Sequence, residues 1–250
     1  MTEIVRPPVE PYIETESNWV IPEGASNPEY TIPDAVLRYV VQRLGLDEPH
    51  MIGIDPMCGN GTNLSFVNEV GGNLYGIELE EPTYEVARLA LSGIQPSLPP
   101  GWLTGWTPEV VHGDCTKVAL RNEDGVLLPA RYIYASPPFD AIMNGELDDV
   151  VVAFDGMLLP RGLLSFILID SADEAIRHGN AINPAAVTTE LFERFDFALL
   201  DRIAFRITNP PPGCDDQFTE LMFVRRQELE TWKKMNAQPL SGASASRFFK

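Results

Sequence analysis

Apolar positions along the chain switch between a helical period and short continuous runs. Val36, Leu37, Val40, Val41 and Leu44 recur at helical spacing behind an Ile32-Pro33-Asp34 start and stop at Gly45, which predicts a helix. Met51-Ile-Gly-Ile-Asp55 is a short apolar run read as a strand, and a glycine-containing turn after it opens a second helix. Asn73 to Glu78 is a second strand ending on an acid, and Thr83 to Leu91 is helical. Val110 to Asp114 and Tyr132 to Ser136 are the third and fourth strands, with a helix from Asp148 to Met157. Leu163 to Asp170 is an apolar fifth strand behind a Pro160-Arg161-Gly162 turn, and Glu190 to Arg194 closes another helix. Phe197 to Thr208 and Glu220 to Arg226 are two last strands joined by the NPPPGCDDQ turn. Such alternation of strands and helices predicts an α/β fold with a doubly wound, mostly parallel sheet. The closing pair reads as an antiparallel hairpin at the sheet edge. Residues 1–26, rich in Pro, Glu and Ser, read as an extended arm before a domain over 27–226 and a tail over 227–250. Gln95 to Pro108 reads as an inserted loop.

Composition narrows the class. At 250 residues, 44% hydrophobic and 22% charged, the chain suits a domain with a full core. No run approaches the roughly 18 apolar residues that span a bilayer, and the N-terminus carries acids and prolines where a signal peptide needs a basic start. We therefore expect a cytoplasmic protein with no membrane partner. The cysteines, Cys58, Cys115 and Cys214, have no CxxC spacing, and His50, His112 and His178 are scattered, so neither a disulfide framework nor a metal site is indicated. The net charge of −18 opposes a polyanionic partner. Its distribution is uneven, because six Lys or Arg from Arg225 onward (Arg225, Arg226, Lys233, Lys234, Arg247, Lys250) face only Glu228 and Glu230. That tail reads either as a solvated helix end or as a short arm against a phosphate backbone.

Two motifs carry chemistry. Asp55-Pro56-Met-Cys-Gly59-Asn-Gly61-Thr62 lies between a strand and a helix, where glycines let the backbone turn and approach a ligand beside free helix N–H groups. Two glycines alone suit any tight turn. Here Glu78 ends the next strand, where an acid can accept from ribose hydroxyls, and Asp114 ends the third, where one can accept from an adenine amine. Each acid alone could be an ordinary loop carboxylate. Three such features at successive strand ends mark a ligand crevice. The second motif is Ser136-Pro137-Pro138-Phe139 at the end of the fourth strand. Paired prolines hold the backbone rigid and extended. A hydroxyl before them and an aromatic after them suit a planar amine, whereas in isolation the four residues would be a turn with a buried Phe. Asn209-Pro210-Pro211-Pro212 lacks the aromatic and reads as a turn.

Together the motifs resemble the S-adenosylmethionine-dependent DNA amino-methyltransferases of the N4-cytosine and N6-adenine type. The family's DPFxGxGT stands here as DPMCGNGT and its (N/D/S)PP(Y/F/W) as SPPF, the serine form being more typical of the cytosine enzymes. The resemblance covers roughly residues 27 to 226. It implies a Rossmann-like class I methyltransferase fold. Asp55, Pro56, Gly59, Gly61 and Thr62 would line S-adenosylmethionine, Glu78 would hold its ribose, and Asp114 and Cys115 would lie near its adenine. Ser136, Pro137, Pro138 and Phe139 would hold the target amine of a base flipped from the stack. DNA is the expected partner and RNA the alternative, as is a catalytically inactive cofactor-binding subunit. Few residues follow the last strand, so recognition would fall to the 95–108 insert and the tail, or to a recognition subunit or homodimer, or specificity would be low. Methylation at cytosine carbon 5 needs a thiolate, typically in a Pro-Cys pair, and no cysteine here follows a proline. No Ser or Cys sits in a nucleophile elbow, which argues against a hydrolase.

Overall fold

The computed structural model describes residues 12–16, 52–69, 72–92, 109–121, 125–128, 130–138, 141–142, 144–169, 184–208 and 217–236. The helix expected from Ile32, the 95–108 loop and Phe139 lie outside them. Among the described residues there are eight strands: β1 (Tyr12–Glu16), β2 (Ile52–Asp55), β3 (Asn73–Glu78), β4 (Val110–His112), β5 (Ala130–Ala135), β6 (Leu158–Ile169), β7 (Phe197–Thr208) and β8 (Gln217–Arg225). They form one sheet in the order β1-β7-β8-β6-β5-β2-β3-β4. Every neighbouring pair is parallel except β6–β8 and β7–β8. The buried runs IGID and NLYGIE are what a parallel sheet covered on both faces requires.

Helices α1 (Thr62–Glu69), α2 (Glu81–Leu91), α3 (Asp148–Met157), α4 (Pro184–Arg194) and α5 (Leu229–Asn236) provide that cover. The start of α1 is fixed by Asn60, whose Oδ1 accepts from the Thr62 hydroxyl at 2.8 Å and the Thr62 N–H at 3.4 Å. Pro82 occupies the first turn of α2, where its missing N–H costs no helical bond. Asp148 and Asp149 stand in the first turn of α3, favourable at the positive end of its dipole. One sheet face packs Leu64, Val67, Ala87 and Trp232 from α1, α2 and α5 over Tyr132, Tyr134 and Met222. The other packs Val151, Phe154, Leu191 and Phe192 from α3 and α4 over Ile133, Phe166 and Phe223. The doubly wound α/β arrangement expected from the sequence is therefore present.

Three details differ from the sequence reading. The closing hairpin is not at the sheet edge, because β1, from the segment expected to be an arm, pairs with β7 from Tyr12↔Ala204 to Glu16↔Thr208. The Pro160-Arg161-Gly162 turn is absorbed as a bulge within β6. Pairing with β5 jumps from Ala130↔Leu158 to Tyr132↔Leu163, and Arg161 takes φ 61 with its N–H donated to Glu228 Oε1 at 2.7 Å. The first cation of the basic tail, Arg225, is built into the domain. Arg225 donates to Asp155 Oδ1 (2.6 Å) and to the carbonyls of Asp155, Leu158 and Leu159, closing the C-terminal end of α3. Arg226, half exposed, pairs with Asp196 at 3.4 Å.

Candidate functional site

Strand order reverses at β2: β3 and β4 lie on one side of it, β5 and β6 on the other. The crevice beyond the carboxyl ends of parallel strands at such a point is where open α/β sheets take ligands. Register places both motifs there. Gly53 pairs with Tyr132 and Ile54 with Ile133, so the turn after β2 and the corner after β5 leave neighbouring strands at the same edge. Glu78 ends β3 opposite His112, with Asp114 two residues beyond β4.

Asp55 closes β2 fully buried. It accepts from the Met57 N–H at 3.2 Å and the Asn63 amide at 3.3 Å, both long contacts. Burial pushes its carboxyl up to about 7, the two donors oppose the shift, and the neighbouring Glu78 charge adds to it. Pro56 is buried behind it. Gly59 has φ 55, and a Cβ built there would meet nothing within 4 Å, so the turn presents bare backbone to open space. Gly61 answers to packing instead. It has φ 81, and a Cβ would lie 2.9 Å from the Cα of Ala87 on α2. Thr62, half-buried, uses its hydroxyl in the Asn60 cap.

Glu78, buried at the end of β3, has a structural task. Its Oε2 accepts from the Gly59 N–H and its Oε1 from the Glu80 N–H, each at 2.9 Å, which ties the end of β3 to the glycine turn. That leaves about two of the carboxylate's four acceptor positions for a ligand. Asp114 accepts from Thr116 N–H at 2.9 Å and hydroxyl at 2.6 Å and from Lys117 Nζ at 2.6 Å. These donors, the Lys117 bond foremost, lower its carboxyl to about 2. Cys115 is buried, and burial raises its thiol to about 11. Cys58 is buried inside the turn, and burial raises its thiol too, so neither is an activated nucleophile.

At the second motif Ser136 is half-buried, Pro137 buried and Pro138 exposed, and the Pro138 carbonyl accepts from the Ile142 N–H at 3.3 Å. Phe139 lies outside the described residues. The structure thus brings Asp55, Gly59, Glu78 and Ser136 to the same edge of the sheet, at the carboxyl ends of β2, β3 and β5, with Asp114 on the β4 side. A cavity of about 260 Å³ under Cys115, Lys117, Leu128 and Met157 includes neither the glycine turn nor the Ser136 corner.

Sequence reasoning passed over Asn60, Asn63, Tyr132, Tyr134, Ser165 and Glu220. Glu220 is fully buried on β8 and accepts from the Ser165 hydroxyl at 2.6 Å. An acid inside the otherwise apolar run FTELMFV was the available signal.

No protein-family model matches the chain. A stretch of 50 residues, 20% of the chain, is 32% identical to an acylphosphatase of Coxiella burnetii (strain RSA 493 / Nine Mile phase I) and covers 53% of it, so the chain spans about half the length of the curated relatives it matches. Among solved structures it is similar to the [4+2]-cyclase SpnF (TM-score 0.57, 13% identity, 86% of this chain and 89% of that one). It is also similar to a candidate RNA methyltransferase of Pyrococcus horikoshii (0.53, 12%, 85% and 92%). A third is the N-methyltransferase NodS of Bradyrhizobium japonicum WM9, solved with S-adenosyl-L-homocysteine (0.52, 11%, 76% and 85%). The chain has the Rossmann-like fold these proteins share, with its antiparallel C-terminal strands. The fold serves a cyclase as well as methyltransferases, so the reaction must be argued from the site.

Proposed function

We propose that this chain binds S-adenosylmethionine in the β2–β5 crevice and transfers its methyl group to the exocyclic amine of a nucleobase, cytosine N4 or adenine N6 in DNA. One observation carries the reading: the glycine turn and the Ser-Pro-Pro corner leave adjacent, in-register strands at the same edge. The residues suit the cofactor. Gly59 faces open space where a side chain would intrude, Glu78 retains acceptor capacity for ribose hydroxyls, and the buried Asp55 carboxyl favours a positively charged neighbour. When bound, S-adenosylmethionine supplies an electrophilic methyl group on a sulfonium.

An exocyclic amine is a weak nucleophile because its lone pair is shared with the ring. The Ser136 hydroxyl and the Pro137 carbonyl would accept its hydrogens, favour a pyramidal nitrogen and direct the pair toward the methyl carbon, with Phe139 stacked on the base. Catalysis then needs positioning and desolvation, with no covalent adduct to the protein. The charge of −18 means that phosphate contacts must be few and local, or supplied by a recognition subunit or a second copy.

The test is nucleoside mass spectrometry after incubating the protein and S-adenosylmethionine with DNA and, in parallel, with tRNA and rRNA. N4-methylcytosine or N6-methyladenine from DNA is expected. Methylation of RNA alone would transfer the reading to RNA bases, an alternative that the likeness to the Pyrococcus protein supports. Cofactor binding without transfer to either would make the chain a non-catalytic partner subunit.

A further inference from the structure

One peptide group links the Glu78 carboxylate to a side chain on the neighbouring strand. Glu78 Oε1 accepts from the Glu80 N–H at 2.9 Å. The carbonyl of that same peptide group belongs to Leu79, and the His112 ring Nε2 lies 3.0 Å from its oxygen. A carbonyl can only accept, so Nε2 carries the hydrogen and donates it. A trans peptide is planar, so its C=O and N–H point in opposite directions and turn as one rigid body. His112 on one side and Glu78 on the other therefore fix its rotation between them. Two bonds in line through one peptide also polarise each other, which strengthens the N–H as a donor.

His112 is itself braced. It ends β4 opposite Glu78, and the next N–H, that of Gly113, donates to the Glu78 carbonyl at 2.8 Å. Its ring stacks on Tyr84, with centroids 5.4 Å apart and planes at 29°. Tyr84, on α2, donates its N–H to the Glu80 carbonyl at 2.8 Å and packs its half-buried ring against the core. The turn from β3 to α2 is thus clasped from β4 by a side chain that is exposed. Such a bond adds little to global stability, because water competes for both partners. Its effect is local: it sets where a carboxylate points.

We propose that His112 is a positioning residue for the cofactor: through the Leu79–Glu80 peptide it holds the Glu78 carboxylate in the orientation that receives ribose hydroxyls. This rests on the methyl-transfer reading above, in which Glu78 takes the ribose. Without the imidazole donor the peptide is free to rotate and its N–H no longer fixes Oε1. The carboxylate must then be ordered as the ligand arrives, and that ordering is subtracted from the affinity. The loss falls on binding and leaves the fold intact.

Two variants of the full chain separate the donor from the ring. His112→Phe keeps a ring for Tyr84 but has no donor, whereas the amide nitrogen of His112→Gln can stand where Nε2 stands. By calorimetry His112→Phe should bind S-adenosylhomocysteine about three- to tenfold more weakly, the share of one net hydrogen bond. Its melting temperature should be unchanged, and His112→Gln should restore most of the affinity. The 2′,3′-dideoxy analogue of the ligand, measured by displacement, adds a readout that packing alone would not move. The wild-type preference for the ribose ligand over this analogue should shrink in His112→Phe by the same factor. Wild-type affinity in His112→Phe, equal weakening in both variants, or an unaltered ribose preference would overturn the proposal and leave the methyl-transfer reading standing. If the wild type itself binds no S-adenosylhomocysteine, that reading fails and the proposal falls with it.

Discussion

The two halves of the sheet are built to different specifications. On one side β6, β8 and β7 run 12, 9 and 12 residues, whereas on the other β2, β3 and β4 run only 4, 6 and 3. The long half packs rings edge to face and in stacks: Phe192 lies 4.8 Å from Phe166, 4.5 Å from Phe223 and 5.7 Å from Phe197, centroid to centroid. The short half ends in buried or half-buried acids and a turn that binds its own neighbours through Glu78. Apolar burial in the first offsets the cost of holding polar groups out of water in the second. The lesson is a division of labour along one sheet, and four measurements would break or sharpen it.

The largest effect should come from the long half. Phe192→Ala removes a ring that is 0% exposed and should cost about 3–5 kcal/mol in urea unfolding, with ligand affinity of the folded protein unchanged. Next, Gly59→Val places a branched side chain where φ is 55 and the space is open. We expect about 100-fold weaker binding of S-adenosylhomocysteine by calorimetry, or ~2.7 kcal/mol, and a smaller stability loss of about 1–2 kcal/mol from the backbone. The reverse ranking of these two losses would erase the distinction between the halves.

Asp55→Asn should act on stability through pH. The folded carboxyl is raised to about 7 from its usual 3.8, so between those values the native state holds a proton that the unfolded chain has lost. Wild-type stability is therefore greatest below pH 4 on this account and falls as pH rises to about 7. The variant should lack that fall and exceed the wild type above pH 7 by about 1–3 kcal/mol. Parallel stability curves for the two proteins would contradict the carboxyl's protonated state. Smallest of all, Lys117→Ala should leave the melting temperature unchanged, because the Lys117 side chain is 79% exposed and its bond to Asp114 is screened by water.

How far each half could be read from the sequence follows the same division. Strand ends bearing single acids, Asp55, Glu78 and Asp114, were legible because each acid interrupts an apolar run immediately before a turn. The α3 boundaries were legible from two aspartates at its start and a return to apolar residues at Leu158. β1 was not legible: Tyr-Ile-Glu-Thr-Glu has no apolar face of its own and becomes a strand only because β7 offers an unpaired edge about 190 residues later in the chain. The bulge at Arg161 was read as a turn because Pro and Gly mark both, and only pairing with β5 tells them apart. The Ser165–Glu220 bond joins residues 55 positions apart, a tertiary fact that no local window contains. Asp55 was identified by its motif, but its full burial needed coordinates.

The strap formed by Tyr12–Glu16 has a practical meaning for handling the protein. Without it, one flank of β7 would offer a row of unsatisfied peptide groups over five residues, the template on which a second molecule could add a strand. The opposite flank, the three-residue β4, is too short to recruit one. Trimming the first twenty residues, or fusing a bulky tag against Tyr12, would thus convert a self-sealed sheet into a sticky one, and preparations would cloud before the core unfolded.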